Sequence, residues 1–232
     1  MAGETDSGRP VPNSILAHVA AAIGIAVEGA AIALGLTALG IVLAALGLKI
    51  VGAIVIALAL AVALFFRDPE RFPARTKGVV ISGADGKVTD VADASFPGET
   101  GRLYHRVSVF MSPLNVHVNR APVGGEVMMV EHTPGEFRAA FRDDASVHNE
   151  RNLIAMTDAD GRIFGMLQVA GYLARRIVCR LRAHDKLQPG QRVGLIMFGS
   201  RVDHFFPADY VVTVSMGQRV RAGETVIGAI EQ

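Results

Sequence analysis

The sequence predicts an α+β chain, mainly β: an N-terminal membrane helical hairpin followed by a compact β-rich barrel or sandwich domain with hammerhead-like hairpins. Three observations carry this. First, charge is unevenly spread. The 232 residues hold 23 Lys and Arg and 22 Asp and Glu, yet only Glu28 and Lys49 fall between Ser14 and Phe66. Second, from Arg67 onward short runs of Val and Ile alternate with Gly, Pro and Asp, the pattern of short strands. Third, that second region shows a helical pattern only around Ala170 to Arg182. The expected divisions are a polar leader (1–13), a hydrophobic membrane-anchoring hairpin (14–66) and a β-rich domain (67–232). This distribution excludes a polytopic transporter, a disordered chain and a wholly soluble protein. A formal net charge of +1 gives no global field to attract nucleic acid. The single Cys179 excludes an internal disulfide or a cysteine metal cluster, and reads as a small hydrophobe.

The membrane segment comes first. About 20 apolar residues cross a bilayer core. Ile15 to Phe66 therefore suffices for two crossings, with one helix to about Leu36, a break near Gly35 to Gly40, and a second helix to Phe66. A hairpin lying in one leaflet fits the same residues. A cleaved signal peptide does not: the apolar run is too long, and the leader carries Glu4, Asp6 and Arg9 rather than a basic stretch. Arg67, Arg71, Arg75 and Lys77 follow the run, which places the β-rich domain on the cytoplasmic face of the cell membrane. Unpaired charge in hydrocarbon is costly, so Glu28 and Lys49 are expected to pair across the hairpin.

The strands are expected at Val79 to Ile81, Val107 to Met111, Val127 to Val130, Leu153 to Met156, Ile163 to Val169, Val193 to Phe198, Val211 to Val214 and Val226 to Ile230. Ala84-Asp85-Gly86, Val123-Gly124-Gly125, Asp160-Gly161 and Pro189-Gly190 mark turns between them. Two turn-strand segments look alike, Leu187 to Gly194 and Met216 to Gly223. The second resembles the hammerhead hairpin of biotinyl and lipoyl carrier domains. None of Lys77, Lys87 and Lys186 stands in a carrier's modification context, so the likeness concerns architecture and not chemistry.

Three segments carry candidate chemistry. Leu195 to Asp203 runs a buried apolar strand into Gly199-Ser200. In Phe110 to Pro122, a strand over Leu114 to Asn119 would put Asn115, His117 and Asn119 on one face, an unusually polar row. Ser82 to Val88 contains the turn Asp85-Gly86, which alone is an ordinary turn.

Together these segments resemble the short form of phosphatidylserine decarboxylase. Further landmarks are Phe65 to Arg71, Asn149-Glu150-Arg151-Asn152 and Ala174-Arg175-Arg176-Ile177, and the likeness runs from the membrane segment almost to the C-terminus. The resemblance implies a zymogen that cuts itself between Gly199 and Ser200 into chains 1–199 and 200–232, and converts Ser200 into a covalent pyruvoyl cofactor. Neither a metal nor pyridoxal phosphate is implied. It further implies decarboxylation of phosphatidylserine to phosphatidylethanolamine through a Schiff base.

Chemistry explains the residue types. Glycine before the serine tolerates backbone strain and leaves room for attack on its carbonyl. A serine hydroxyl needs a base. His117, ordinarily titrating near 6.5, is expected to supply it, with Asp85 orienting the ring. The longer form of the family carries a second histidine three residues after the first, where Arg120 stands here, so His117 serves both steps or another group does one. His204, four residues after Ser200, shares its face if both lie on one strand, but reads first as an exposed structural histidine. Arg175, Arg176 and Arg201 are candidates to meet the lipid phosphate. The expected partners are the phospholipid in its membrane and the two halves of the cut chain, and a homo-oligomer is compatible with the sequence. Two other classes stay open: a pyruvoyl decarboxylase of a different amino-containing substrate, and a membrane-anchored, non-enzymatic adapter with a hammerhead domain.

Overall fold

The computed structural model describes residues 15–73, 77–97, 102–138, 145–172, 176–197 and 199–230. The polar leader, Arg75, Phe198 and half of the Ala174-Arg175-Arg176-Ile177 landmark, Ala174 and Arg175, lie outside these. The chain divides into two compact units, the first ending at Glu70 and the second running from Arg71 onward.

The first unit is helical: α1 (Ile15–Ala22), α2 (Val27–Ala45) and α3 (Lys49–Phe65). Among the described residues α2, at 19 residues, is the one helix long and apolar enough to cross a membrane. The break expected near Gly35 to Gly40 is not there. The chain turns instead at Leu46 to Leu48, where Gly47 has φ +89, and again after α1, where Gly24 has φ +66. Only glycine enters that region without strain, so these two glycines set the corners. Gly40 stays helical because its role is contact. A Cβ there would lie 2.6 Å from Ile56 Cγ1, and one on Gly52 would lie 2.6 Å from the Gly40 carbonyl oxygen. Small residues thus let α2 and α3 approach closely.

The relocated turn also removes the expected Glu28–Lys49 pair. Glu28 lies in the first turn of α2, which spans about 28 Å, whereas Lys49 opens α3 at the far end. Gly52→Leu is expected to force the helices apart, at a cost of about 1–3 kcal/mol. Spin labels at the exposed Leu39 and Leu58, in a Cys179→Ser background, should report a longer separation; an unchanged distance contradicts the packing described.

The second unit is mainly β. Its strands are β1 (Val79–Ile81), β2 (Gly86–Ala94), β3 (Tyr104–Met111), β4 (Val118–Arg120), β5 (Gly125–Thr133), β6 (Arg151–Thr157), β7 (Ile163–Val169), β8 (Ile177–Cys179), β9 (Lys186–Leu187), β10 (Arg192–Ile196), β11 (Ser200–Pro207), β12 (Tyr210–Val212), β13 (Arg219–Val220) and β14 (Val226–Ile230). One short helix, α4 (Ala145–His148), precedes β6. A curled sheet of eight strands has the order β13-β2-β3-β11-β7-β6-β5-β9, and two three-stranded sheets have the orders β4-β10-β8 and β1-β14-β12. The helix expected around Ala170 to Arg182 is absent from the described part of that stretch: β8 pairs with β10 there, since Ile177 and Val178 are β-branched and fit a half-buried strand.

Both faces of the large sheet are buried at its centre. On one face Val107, Val109, Met111, Ile154, Met166, Val202 and Phe206 form the main core. On the other, Phe96, Tyr104, Leu153, Leu167 and Phe205 form a second cluster. Strand β11 lies between β3 and β7 and is buried along nearly its whole length.

Candidate active site

Ser200 is the first residue of β11 and is fully buried. The chain leaves β10 in one sheet at Ile196 and enters β11 in another at Ser200. Gly199 makes the crossing with φ +61, while a Cβ there would meet no atom within 4 Å. The requirement for glycine is therefore one of backbone conformation and not of space. Opposite Ser200 in the ladder stands Met111, and the Ser200 hydroxyl donates to its Sδ at 3.4 Å.

His117 lies on the neighbouring segment, 2% exposed, and its carbonyl oxygen accepts the Ile196 N–H at 3.3 Å. It therefore flanks the end of the strand that leads into Gly199-Ser200. The strand expected over Leu114 to Asn119 begins only at Val118. Ser112-Pro113-Leu114-Asn115 is a turn, closed by Asn115 Oδ1 accepting from the Ser112 N–H at 2.9 Å and from its hydroxyl at 2.7 Å. Proline and asparagine favour such a turn over an extended run. Asn115 is consequently taken up by the turn, while His117 and Asn119 point into the interior.

Asp85 is buried, but its oxygens are engaged elsewhere. Oδ2 accepts from Arg71 at 3.0 Å and Oδ1 from the Ala222 N–H at 2.7 Å. Arg71 offers Asp85 a full charge and Ala222 a fixed backbone donor, and together they hold the turn that carries it. Arg71 also meets Glu224 at 3.1 Å, so it is not a free flanking cation beside the membrane segment. Arg120, at the position of the longer form's second histidine, is buried and donates to the Gly190 carbonyl at 3.0 Å.

His204 is fully buried rather than exposed. Its Nε2 accepts the Gly83 N–H at 2.7 Å, and Nδ1 sits 3.1 Å from the Val107 carbonyl oxygen, which fixes the proton on Nδ1. It thereby clamps the Ser82 to Asp85 turn against β11. Burial pushes its pKa down to about 4, against the help of the Val107 carbonyl. The folded state binds this proton less readily than the unfolded state, whose histidine titrates near 6.5. His204 should therefore cost stability progressively as pH falls from about 6.5 to about 4, by roughly 3 kcal/mol in all. Urea midpoints across that window should fall for the native chain and fall less for His204→Gln. Equal slopes contradict a neutral buried imidazole.

Arg201 does not present itself to a lipid phosphate. It lies on the other face of β11 and donates from Nη2 to Asp203 Oδ2 at 3.0 Å, both side chains being buried. Arg176 is exposed, and its carbonyl accepts the Met197 N–H at 3.3 Å, beside the approach to Gly199. Cys179 is half-buried, and burial pushes its thiol up, away from nucleophilic use.

Comparisons with known proteins agree on one family. The family model described as phosphatidylserine decarboxylase matches residues 58–228, which include every residue of this site. The phosphatidylserine decarboxylase proenzyme of Solidesulfovibrio magneticus is 48% identical over 163 residues, covering 70% of this chain and 76% of the relative. Those of Mycolicibacterium smegmatis and Chlorobium chlorochromatii are each 47% identical, over 72% and 71% of this chain and 74% and 76% of the relatives.

Proposed function

The chain belongs to the phosphatidylserine decarboxylase family, and on that premise we propose that it splits itself between Gly199 and Ser200 and then decarboxylates phosphatidylserine to phosphatidylethanolamine. The observation that carries this reading is the buried Ser200 placed directly after a left-handed glycine at a crossing between sheets, with His117 beside the strand that leads into it. The relatives' names as proenzymes support a processed chain.

In this reading His117 takes the proton of the Ser200 hydroxyl. The oxygen attacks the Gly199 carbonyl carbon, the C–N bond breaks, and the nitrogen leaves protonated, so the peptide becomes an ester. Loss of the residue-200 α-proton then breaks the Cβ–O bond and releases Gly199 as a carboxylate. Water replaces the nitrogen, ammonia departs, and residue 200 ends as a pyruvoyl group. The site fits that group: it forms from the chain's own backbone, and the open space beside Gly199 lets the new C-terminus move aside. When present, the group supplies a ketone that takes up the substrate amine and accepts the electron pair left by the departing carboxylate. His117 is assigned the proton transfers of both stages. Asp85, bound by Arg71, enters as a holder of its turn, and as an orienter of His117 only when Arg71 releases it.

We place the β-rich domain on the cytoplasmic face of the cell membrane, supported by the apolar α2 and by Arg67 and Lys77 after the hairpin. A hammerhead-like character for the two similar turns is supported by their meeting at Gly190 and Gly223, where a Cβ on Gly223 would lie 3.6 Å from the Gly190 Cα.

The test is product formation. Purified protein in mixed micelles should convert phosphatidylserine to phosphatidylethanolamine and leave free serine untouched. A split chain inert on the lipid but active on another amine would favour the other decarboxylase. An unsplit, inert chain would favour the adapter.

A further inference from the structure

Three side-chain amides meet over the Ser200 face of the large sheet: Asn152 and Gln168 belong to β6 and β7, and Asn119 reaches them from β4. Asn119 and Gln168 are fully buried and Asn152 is 1% exposed. Burying an amide unpaired costs about 1–3 kcal/mol, so such a cluster persists only if its members satisfy one another. They do so in one direction. Asn152 Nδ2 donates to Gln168 Oε1 at 2.9 Å, and Gln168 Nε2 donates to Asn119 Oδ1 at 2.8 Å. Asn119 Nδ2 then donates to Met111 Sδ at 3.6 Å, the same sulfur that receives the Ser200 hydroxyl at 3.4 Å. Reversing the chain would face the Asn119 oxygen with the thioether, two acceptors together, so the direction is fixed by the sulfur.

The consequence is an oriented N–H that shares its one weak acceptor, the Met111 sulfur, with the Ser200 hydroxyl. A thioether is a poor partner for an amide donor. The folded precursor thus carries a donor whose better partner has yet to form, the arrangement expected where charge develops during a reaction. The oxygen that gains charge nearby is Ser200 Oγ, once its proton is withdrawn.

Resting on the self-splitting reading above, we infer that Asn119 is the hydrogen-bond donor that stabilises the Ser200 oxygen as it becomes a nucleophile. Gln168 and Asn152 are positioning residues that aim it. In the resting chain Met111 sulfur occupies both the donor and the hydroxyl. As the proton passes to His117, the Asn119 N–H shifts from sulfur to oxygen.

The experiment follows the splitting of freshly synthesised full-length chain by intact mass, over time and pH. Losing one such donor costs on the order of 100-fold in rate. Asn119→Leu should slow splitting by about that factor, and Gln168→Leu by about 10-fold, since the donor remains but is no longer aimed. Asn119→Asp gives the reading that a purely structural role would not. Its carboxylate repels the forming negative charge at neutral pH, whereas its protonated form donates. The ratio of its splitting rate to that of the native chain should therefore rise as pH falls through the carboxyl range. Acid recovery also shows that the variant is folded. Splitting of Asn119→Leu at the native rate, or a flat Asn119→Asp ratio, overturns the proposal while leaving self-splitting intact. A native chain that never splits at 199/200 overturns the reading beneath it.

Discussion

Ser200→Ala is expected to remain a single chain of 232 residues and to form no phosphatidylethanolamine. The effect should be all or none. The hydroxyl is both the attacking group and, once acylated, the group that leaves Cβ, and alanine offers neither. The substitution should not disturb the fold. It removes one oxygen whose partner is a thioether at 3.4 Å, while Ser200 keeps its ladder position opposite Met111. Circular dichroism and the unfolding midpoint should match the native chain within about 1 kcal/mol. Splitting of this variant at the same bond would place the nucleophile elsewhere.

The second large effect concerns His117. His117→Ala should block splitting, since among the described residues His117 is the histidine whose backbone pairs with the strand leading into the junction. His204, on the same face of β11, is committed to Gly83 and Val107 and is held neutral by burial. Arg120 cannot substitute, because a guanidinium does not act as a base near neutral pH and its Nη1 is engaged by Gly190. The loss should be at least the 100- to 10,000-fold typical of a missing general base. To isolate its later role, chains 1–199 and 200–232 can be supplied separately, with the pyruvoyl group installed chemically. His117→Ala should then still be nearly inactive, whereas Asp85→Asn should retain much of its turnover. Full turnover by the assembled His117→Ala protein would remove His117 from the second stage.

Much of the fold was legible because many strands obey a simple period. Val79 to Ile81, Ile163 to Val169 and Val226 to Ile230 were bounded correctly from their apolar runs. Strand β2 was not, because a bulge between Val88 and Asp90 places Val88 and Val91, three apart, on one face. Strand β11 was hidden for another reason. It is buried on both faces, and its polar residues answer to partners distant in sequence: Ser200 to Met111, and His204 to Gly83 and Val107. The hairpin turn was misplaced because Gly40 and Gly47 look alike in sequence, although one makes contact and the other turns.

Of the site, Ser200, Gly199 and His117 stood out through the family likeness. The polar row was visible, but not its division into a turn residue, an imidazole and a relayed amide. Gln168 and Asn152 left no local signal. They become meaningful only when β6, β7 and β11 lie side by side. The ion pair of Asp85 with Arg71 left no local signal either, because the two meet only once the domain is folded.

The central claim is that residue 200 ceases to be a serine. The direct measurement is the exact mass and N-terminal chemistry of the small chain from purified native protein. The account predicts chain 200–232 beginning with a pyruvoyl group, closed to Edman degradation and reactive toward a hydrazine. A small chain beginning with a free serine amine, or an intact chain that turns over phosphatidylserine, would contradict it.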